Sequence, residues 1–268
     1  MSAEPAVVVT RTGAVRTLTL NRPHRRNALN ANLIDALEIE LSAAENDDNT
    51  RVVILAGSGR SFCAGADLQY FLELREEHGT PIEFLRRVSA LITRFETSPL
   101  PVVAALHGHA VAGGLELALG CDVVVAADDT LIGDGHVRNN LLPAGGSSVR
   151  LPRKVGDAMA RWLSLTGDLV TPDRLAATGW IHTVVPATEL YETALHIAQQ
   201  LAERSGPAQS NFKTLLSDLT TMNSIDGLAR ELDAFEEHWA ANDVPTDLGA
   251  FLNRKAPSTN ITDNGRAR

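Results

Sequence analysis

Short apolar runs alternate with longer amphipathic segments along most of the chain. RVVIL at 51–55, PVVAAL at 101–106 and CDVVVAA at 121–127 are rich in β-branched and small residues. Such runs are typical of strands that are buried on both faces of a parallel sheet. Between them lie segments such as 31–47, where apolar residues recur at helical spacing. This order predicts an α/β protein with a parallel or mixed sheet.

The two ends of the chain differ from this middle part. Residues 6–20 alternate around a turn and predict a β-hairpin. From residue 187 onward the pattern is helical throughout. The change of composition near residues 196–207 therefore predicts an α/β body at 1–196, followed by a helical part at 197–268.

Two further helical segments are predicted toward the end of the α/β body. RKVGDAMARWLSLTG at 153–167 is predicted to be helical. Thr171 is a suitable N-cap, with Pro172 as the first helical residue of a segment that we expect to stop at Gly179.

Charge and composition limit the possible partners. The net charge is −9 and aromatic residues make up only 4% of the 268 residues, which argues against a nucleic-acid partner or an anionic membrane surface. Cys63 and Cys121 have no metal-binding spacing, so we interpret them as small buried residues in a reducing, cytoplasmic protein. The first residues lack the pattern of a secretory signal.

Residues 101–127 carry only two charged side chains and are long enough to cross a bilayer. Glycines and histidines interrupt the segment, however, and its apolar runs are short. We therefore expect two buried strands flanking a buried helix, and no membrane partner.

Two loops of small residues follow two of the predicted strands. They lie within SFCAGADL at 61–68 and GHAVAGGLELAL at 108–119, and each leads into a helix. Small side chains let a ligand approach the main chain, so that one N–H from each loop could bind the same anionic oxygen, as in an oxyanion hole. Tight turns for close helix packing would explain the same glycines.

Glu116 lies in the first turn of the second of these helices. A carboxylate at that position can serve simply as a partner of the helix dipole. Beside an oxygen-binding loop it becomes a candidate general acid or base. A phosphate-binding P-loop is excluded because the segment lacks the lysine and the Ser/Thr of that motif.

Several segments in the same order resemble the crotonase superfamily, also called the enoyl-CoA hydratase/isomerase family. The resemblance spans roughly residues 6–257. It is carried by LNRPHRRNALN at 20–30, SFCAGADL at 61–68, GHAVAGGLELAL at 108–119, LSLTGDLVTPDRLAATGWIHTVVP at 163–186 and DLGAFLNRKAP at 247–257.

This resemblance implies a crotonase-like spiral of ββα units with a C-terminal helical trimerisation region, assembled as a homotrimer or a dimer of trimers. It implies an acyl-CoA thioester as substrate, with coenzyme A as part of that substrate, no tightly bound cofactor and no metal. The N–H groups of Ala64 and Gly113 would hold the thioester oxygen, and Glu116 falls on the first catalytic glutamate. The positions expected to bind coenzyme A are Arg25, Arg60, Ala66, Asp67, Leu68, Phe251 and Lys255.

The chain departs from the family at the second catalytic glutamate. Typical hydratases carry that glutamate in a segment like PEIxxGxxPGxGG, whereas this chain has GHVRNNLLPAGG, with His136 at the glutamate position. A histidine can transfer protons near neutral pH, so that His136 is a candidate catalytic residue, although a structural or solvated role would also fit. Arg138 could recognise a substrate carboxylate or be exposed, and we favour exposure.

Three functions follow from these residues. The first is hydration of a 2-enoyl-CoA, with Glu116 as the principal acid and base. The second is another reaction of the crotonase fold that uses Glu116 and His136: double-bond isomerisation, decarboxylation, or hydrolysis of a carbon–carbon bond. The third is a CoA-binding scaffold without turnover.

Overall fold

The computed structural model describes residues 4–253. It contains eight β-strands in this range: β1 (Val7–Thr12), β2 (Val15–Leu20), β3 (Val52–Gly57), β4 (Val102–Leu106), β5 (His109–Val111), β6 (Val123–Ala127), β7 (Leu131–Gly133) and β8 (Ile181–Val185). Six of them form one sheet in the order β1-β2-β3-β4-β6-β8, while β5 and β7 pair separately. Only β1 and β2, the predicted hairpin, are antiparallel.

The α-helices in the described range are α1 (Ala31–Glu45), α2 (Leu68–His78), α3 (Ile82–Thr97), α4 (Gly113–Leu119), α5 (Ser147–Val155), α6 (Asp157–Thr166), α7 (Pro172–Ala176), α8 (Leu190–Ala202), α9 (Gly206–Leu219), α10 (Ser224–Ala241) and α11 (Val244–Leu252). Together with the central sheet they form the predicted mixed α/β fold.

The central strands β3, β4 and β6 of the large sheet are buried on both faces, as the apolar runs predict. Val53 and Leu55 of β3 belong to the larger core, which also contains the apolar side of α1 and α3. Val52 and Ile54 point the other way and pack with α8. Because alternate residues of a strand face opposite sides, a strand covered on both faces must be apolar at every position.

Residues 101–127 form β4, β5, α4 and β6, which confirms two buried strands flanking a buried helix. In residues 4–253 no helix combines the length and the apolar character that crossing a bilayer requires.

The helical prediction for 153–167 is confirmed, with one interruption. The chain breaks at Gly156, which has a φ of 82°, and α5 and α6 lie on either side of it. Pro172 begins α7 as predicted, but this helix ends at Ala176, and the Thr171 side chain makes no capping hydrogen bond.

The chain divides into two compact units between Thr214 and Leu215, within α9. In the second unit, Arg230 of α10 forms an ion pair with Asp218 of α9. The division predicted between residues 196 and 197 stays a prediction.

Candidate active site

A cavity of about 160 Å³ is lined by residues that follow β3, β5 and β7. Ala64 and Ala66 come from the loop after β3, Gly113 comes from the start of α4, and His136 comes from the segment after β7. The volume is well above the roughly 10–15 Å³ that one buried water needs, so the cavity has room for part of a ligand.

Main-chain hydrogen bonds hold the loop after β3 against β5. The Cys63 N–H donates to the His109 carbonyl over 2.9 Å, and the Val111 N–H donates to the Cys63 carbonyl over 3.1 Å. The parallel pairing of β5 with β7 then places Gly133 beside Val111. Three separate stretches of chain therefore meet at the cavity.

Two glycines permit this close approach. Gly65 has a φ of 103°, and a Cβ on it would lie 3.1 Å from the Cβ of Ala112 and 3.4 Å from the Gly113 nitrogen. A Cβ on Gly114 would lie 2.1 Å from the Cys63 carbonyl oxygen, which is far inside van der Waals contact. Gly114 is needed because any side chain would push the two loops apart, and Gly65 is needed because its φ lies in a region that residues with side chains rarely adopt.

The main-chain amides at the cavity differ in their partners. The Ala64 N–H donates to the Arg26 carbonyl over 3.0 Å. The prediction that Ala64 offers its N–H to a ligand is therefore wrong in this structure, because that donor is already used. Within residues 4–253, neither Ala66 nor Gly113 donates its N–H to a protein acceptor. The two residues are neighbours, since a Cβ built on Gly113 would lie 3.5 Å from the Ala66 nitrogen.

The Glu116 carboxylate lies in the wall of this cavity and is only 3% exposed. Its Oε1 accepts hydrogen bonds from the N–H groups of Gly145, over 2.8 Å, and Ser147, over 3.1 Å. Burial raises the pKa of Glu116 above its ordinary value, and Ser147, His136 and Gly145 offset this rise only in part. The side chain is thus positioned through one oxygen, which leaves Oε2 for other contacts.

His136 lies beside Glu116, in a short 3₁₀-helix at His136–Asn139. Its Nε2 is 3.9 Å from Glu116 Oε2, and both residues line the cavity. The sequence prediction did not include the carboxylate on the other side of the ring, which is Asp134. Its Oδ1 is 2.5 Å from His136 Nδ1.

Asp134 is itself held by two hydroxyl groups. Ser147 Oγ donates to Asp134 Oδ2 over 2.6 Å, and Ser164 Oγ donates to the same oxygen over 3.1 Å. Burial alone would raise the pKa of Asp134, but the hydrogen bonds from His136 and the two serines outweigh it and hold the pKa below its ordinary value. The site therefore joins a protonatable carboxyl group, a histidine and an ionised carboxylate.

Comparison with known proteins identifies the family. A family model described as enoyl-CoA hydratase/isomerase matches residues 10–260. The chain belongs to this family. The 2,3-dehydroadipyl-CoA hydratase of Escherichia coli K12 is 34% identical over 94% of this chain and 97% of its own length. The short-chain-enoyl-CoA hydratase of Clostridium acetobutylicum is 31% identical, with 93% and 95% covered.

Solved structures of the enoyl-CoA hydratase/isomerase family have the same fold. The crystal structure of an enoyl-CoA hydratase from Bacillus anthracis matches with a TM-score of 0.86 and 32% identity, over 92% of this chain and 96% of that one. The crotonase-like fold and the membership of the crotonase superfamily are thus confirmed, and the protein is an enzyme of the enoyl-CoA hydratase/isomerase type.

Some of the positions that this family resemblance implies for coenzyme A line the cavity, and others lie outside it. Ala66 and Leu68 line the cavity. Asp67 is buried, pairs with Arg22 over 2.9 Å and caps α2, so that its carboxylate is already engaged. Arg25 and Arg60 are exposed, on adjoining loops.

The remaining predicted positions lie at the C-terminal end or on the surface. Phe251 of α11 is exposed, and Lys255 lies outside the described residues. Arg138 is half exposed and pairs with Asp168 over 3.2 Å, which agrees with the surface role favoured for it. Within residues 4–253, no group of three or more His, Cys, Asp or Glu side chains is arranged to hold a metal ion.

Proposed function

We propose that this enzyme adds water to a 2-enoyl-CoA thioester, with Glu116 and His136 as the proton-transferring groups. The observation that carries the proposal is the distance of 3.9 Å between Glu116 Oε2 and His136 Nε2 in the cavity wall. Two atoms this close can act on one water molecule or on adjacent carbons of one substrate. A positioned proton-transfer group contributes about 10²- to 10⁴-fold to a rate.

The N–H groups of Ala66 and Gly113 would hold the thioester oxygen. Support comes from their position in the cavity wall and from the absence of an acceptor for either N–H within residues 4–253. Negative charge develops on the thioester oxygen when water attacks the β-carbon of the double bond. Two amides that are already oriented stabilise that charge without reorganisation.

The proton balance of the reaction requires two groups or one group used twice. The water oxygen bonds to C3, the electrons of the double bond move to the thioester oxygen, and a proton leaves the water. When those electrons return, C2 takes up a proton and the 3-hydroxyacyl thioester is complete. Burial raises the pKa of Glu116, so its carboxyl group holds a proton more readily than an exposed glutamate does and can pass that proton on.

The rest of the substrate would be held by the coenzyme A part and by apolar contacts. Arg25 and Arg60 are exposed cations suited to the nucleotide phosphates, and we include Phe251 and Lys255 as family-implied contacts. The cavity wall contains Phe71, Leu85 and Val88, which suit an apolar acyl group.

A second candidate is another reaction of the crotonase fold, such as double-bond isomerisation, decarboxylation or hydrolysis of a carbon–carbon bond. It is favoured by the histidine paired with Asp134 at the position of the second glutamate. A histidine that is held by a carboxylate is a common way to activate water as a nucleophile.

The decisive experiment is to incubate the purified protein with trans-2-butenoyl-CoA, longer 2-enoyl-CoA thioesters and cyclic diketones. Hydration predicts loss of the conjugated thioester absorbance and a mass gain of one water. A product of unchanged mass would indicate isomerisation, and loss of carbon dioxide from a carboxylated acyl-CoA added to the panel, such as methylmalonyl-CoA, would indicate decarboxylation. Conversion of a diketone would indicate carbon–carbon hydrolysis, and binding of CoA esters without any product would favour a scaffold.

We further propose a homotrimer or a dimer of trimers that acts in fatty acid metabolism in the cytoplasm. The proposal of an oligomer is supported by apolar side chains on α10 that are exposed in the single chain, among them Ile225, Leu232 and Phe235. Native mass spectrometry should give three or six chains, and a monomer at micromolar concentration would contradict it.

A further inference from the structure

We propose that Asp134 and Ser147 are positioning residues, which hold His136 in the tautomer that carries its proton on Nδ1 and presents an unprotonated Nε2 to the cavity. This inference rests on the proposed function for its catalytic consequence. Its structural part concerns the enzyme without substrate.

The hydrogen-bonding capacity of Asp134 determines the tautomer. An ionised carboxylate only accepts hydrogen bonds, and the pKa of Asp134 is held below its ordinary value. The short contact between Asp134 Oδ1 and His136 Nδ1 therefore requires the hydrogen to be on Nδ1. In a neutral imidazole the other nitrogen is then the acceptor. That nitrogen is the one that lies 3.9 Å from Glu116 Oε2.

Ser147 connects the two proton-transfer groups. Its N–H donates to Glu116 Oε1, and its hydroxyl donates to Asp134 Oδ2. The residue is fully buried at the start of α5. One residue thus sets the position of the Glu116 carboxylate directly and the position of the His136 ring through Asp134.

The catalytic consequence is a division of roles. With Nε2 unprotonated, His136 can take the proton of the attacking water. Glu116, whose pKa is raised, is then the group that supplies a proton to C2, and the proton on His136 Nε2 returns to Glu116 Oε2, 3.9 Å away, to restore both groups. A carboxylate behind the histidine also stabilises the imidazolium that forms when His136 has accepted its proton.

The test is ¹⁵N NMR of the histidine side chains in the substrate-free enzyme, with the His136 signal assigned by its loss in His136→Gln. The expected wild-type signal is that of the Nδ1–H tautomer. In Asp134→Ala the acceptor is gone, and we expect a shift toward the Nε2–H form that free histidine prefers. We also expect kcat to fall about 10²-fold with little change in KM, because only proton transfer is affected. Asp134→Asn should also give the Nε2–H form, because its amide oxygen would accept from the two serine hydroxyls and its NH2 would face Nδ1 as a donor.

Two more variants complete the design. Ser147→Ala keeps the N–H to Glu116 and loses the hydroxyl to Asp134, so that a smaller shift of the same kind is expected even if Asp134→Ala does not fold. Ser61→Ala is the matched control, because the Ser61 hydroxyl contacts the Nδ1 of a different histidine, His109, over 3.2 Å. It should change the His109 signal and leave that of His136 unchanged.

An Nε2–H tautomer in the wild type, or a His136 signal and kcat that stay the same in both Asp134→Ala and Ser147→Ala, would overturn the inference. If the enzyme hydrates enoyl-CoA but the tautomer of His136 does not depend on Asp134 or Ser147, this inference alone is rejected. The predicted tautomer in an enzyme that does not hydrate enoyl-CoA would instead reject the proposed function alone.

Discussion

Gly145 lies directly against the Glu116 carboxylate. Its N–H donates to Oε1 over 2.8 Å, and a Cβ added to it would lie 2.6 Å from Oε2. Gly145→Ala must therefore displace the carboxylate, and we expect kcat to fall about 10²-fold or more, as for the loss of a positioned acid or base. Steady-state kinetics with a 2-enoyl-CoA provides the measurement.

Gly249→Ala on α11 is the control, because a Cβ there meets no atom within 4 Å. Equal kcat in both variants would mean that the position of the carboxylate does not matter.

The amides of Ala64 and Ala66 can be separated by replacing each alanine in turn with lactate, which turns the N–H into an ester oxygen. We expect lactate at position 66 to lower kcat/KM by about 10²- to 10³-fold, as the loss of one oxyanion donor does. Lactate at position 64 breaks the bond to Arg26 and should cost about 1 kcal/mol of stability, with kcat/KM largely kept. If lactate at position 64 lowers kcat/KM more than lactate at position 66 does, the oxyanion donor is the N–H of Ala64.

The buried carboxylate of Glu116 should lower stability where it is ionised. Because its pKa is raised above 4.5 in the folded chain, the folded state binds more protons than the unfolded state in the pH window just above that value. The free energy of unfolding therefore falls as pH rises through that window. Glu116→Gln does not titrate and keeps an acceptor oxygen for Gly145 and Ser147, so we expect it to be more stable than the wild type at about pH 8, by about 1 kcal/mol.

Urea unfolding of both proteins at about pH 8 and about pH 4.5 measures this difference. The gain in the free energy of unfolding should shrink at the lower pH, where the wild-type carboxyl group takes up its proton. A variant that is less stable than the wild type at pH 8, or a gain that grows on acidification, would show that the carboxylate is not destabilising.

The central strands of the sheet could be predicted because each strand is recognisable from its own residues. The strands β3, β4 and β6 are covered on both faces, so that each is apolar at every position and is recognisable by itself. The strands β5 and β7 have three residues each and were not predicted. They depend on pairing with each other and, for β5, on Cys63 of a distant loop, and three residues are too few to show a periodic pattern.

The site was predictable only in part, for a similar reason. The register of the family resemblance brought Glu116 and His136 together, and the structure places them side by side. Asp134, between two glycines, is typical of a turn residue, and only the fold brings Ser147 and Ser164 against it. Ala64 and Ala66 are equivalent in the string CAGAD. Only the fold distinguishes them, because the Ala64 N–H donates to the Arg26 carbonyl and the Ala66 N–H does not.

Proton transfer by Glu116 is central to the proposed hydration, and the rate of hydration of trans-2-butenoyl-CoA by Glu116→Gln tests it most directly. The variant has nearly the same shape and keeps an acceptor for the Gly145 and Ser147 amides, so that a loss of rate can be assigned to the carboxyl group itself. We predict a decrease in kcat of about 10²- to 10⁴-fold, with the fold intact by circular dichroism. Turnover at the wild-type rate would contradict the account.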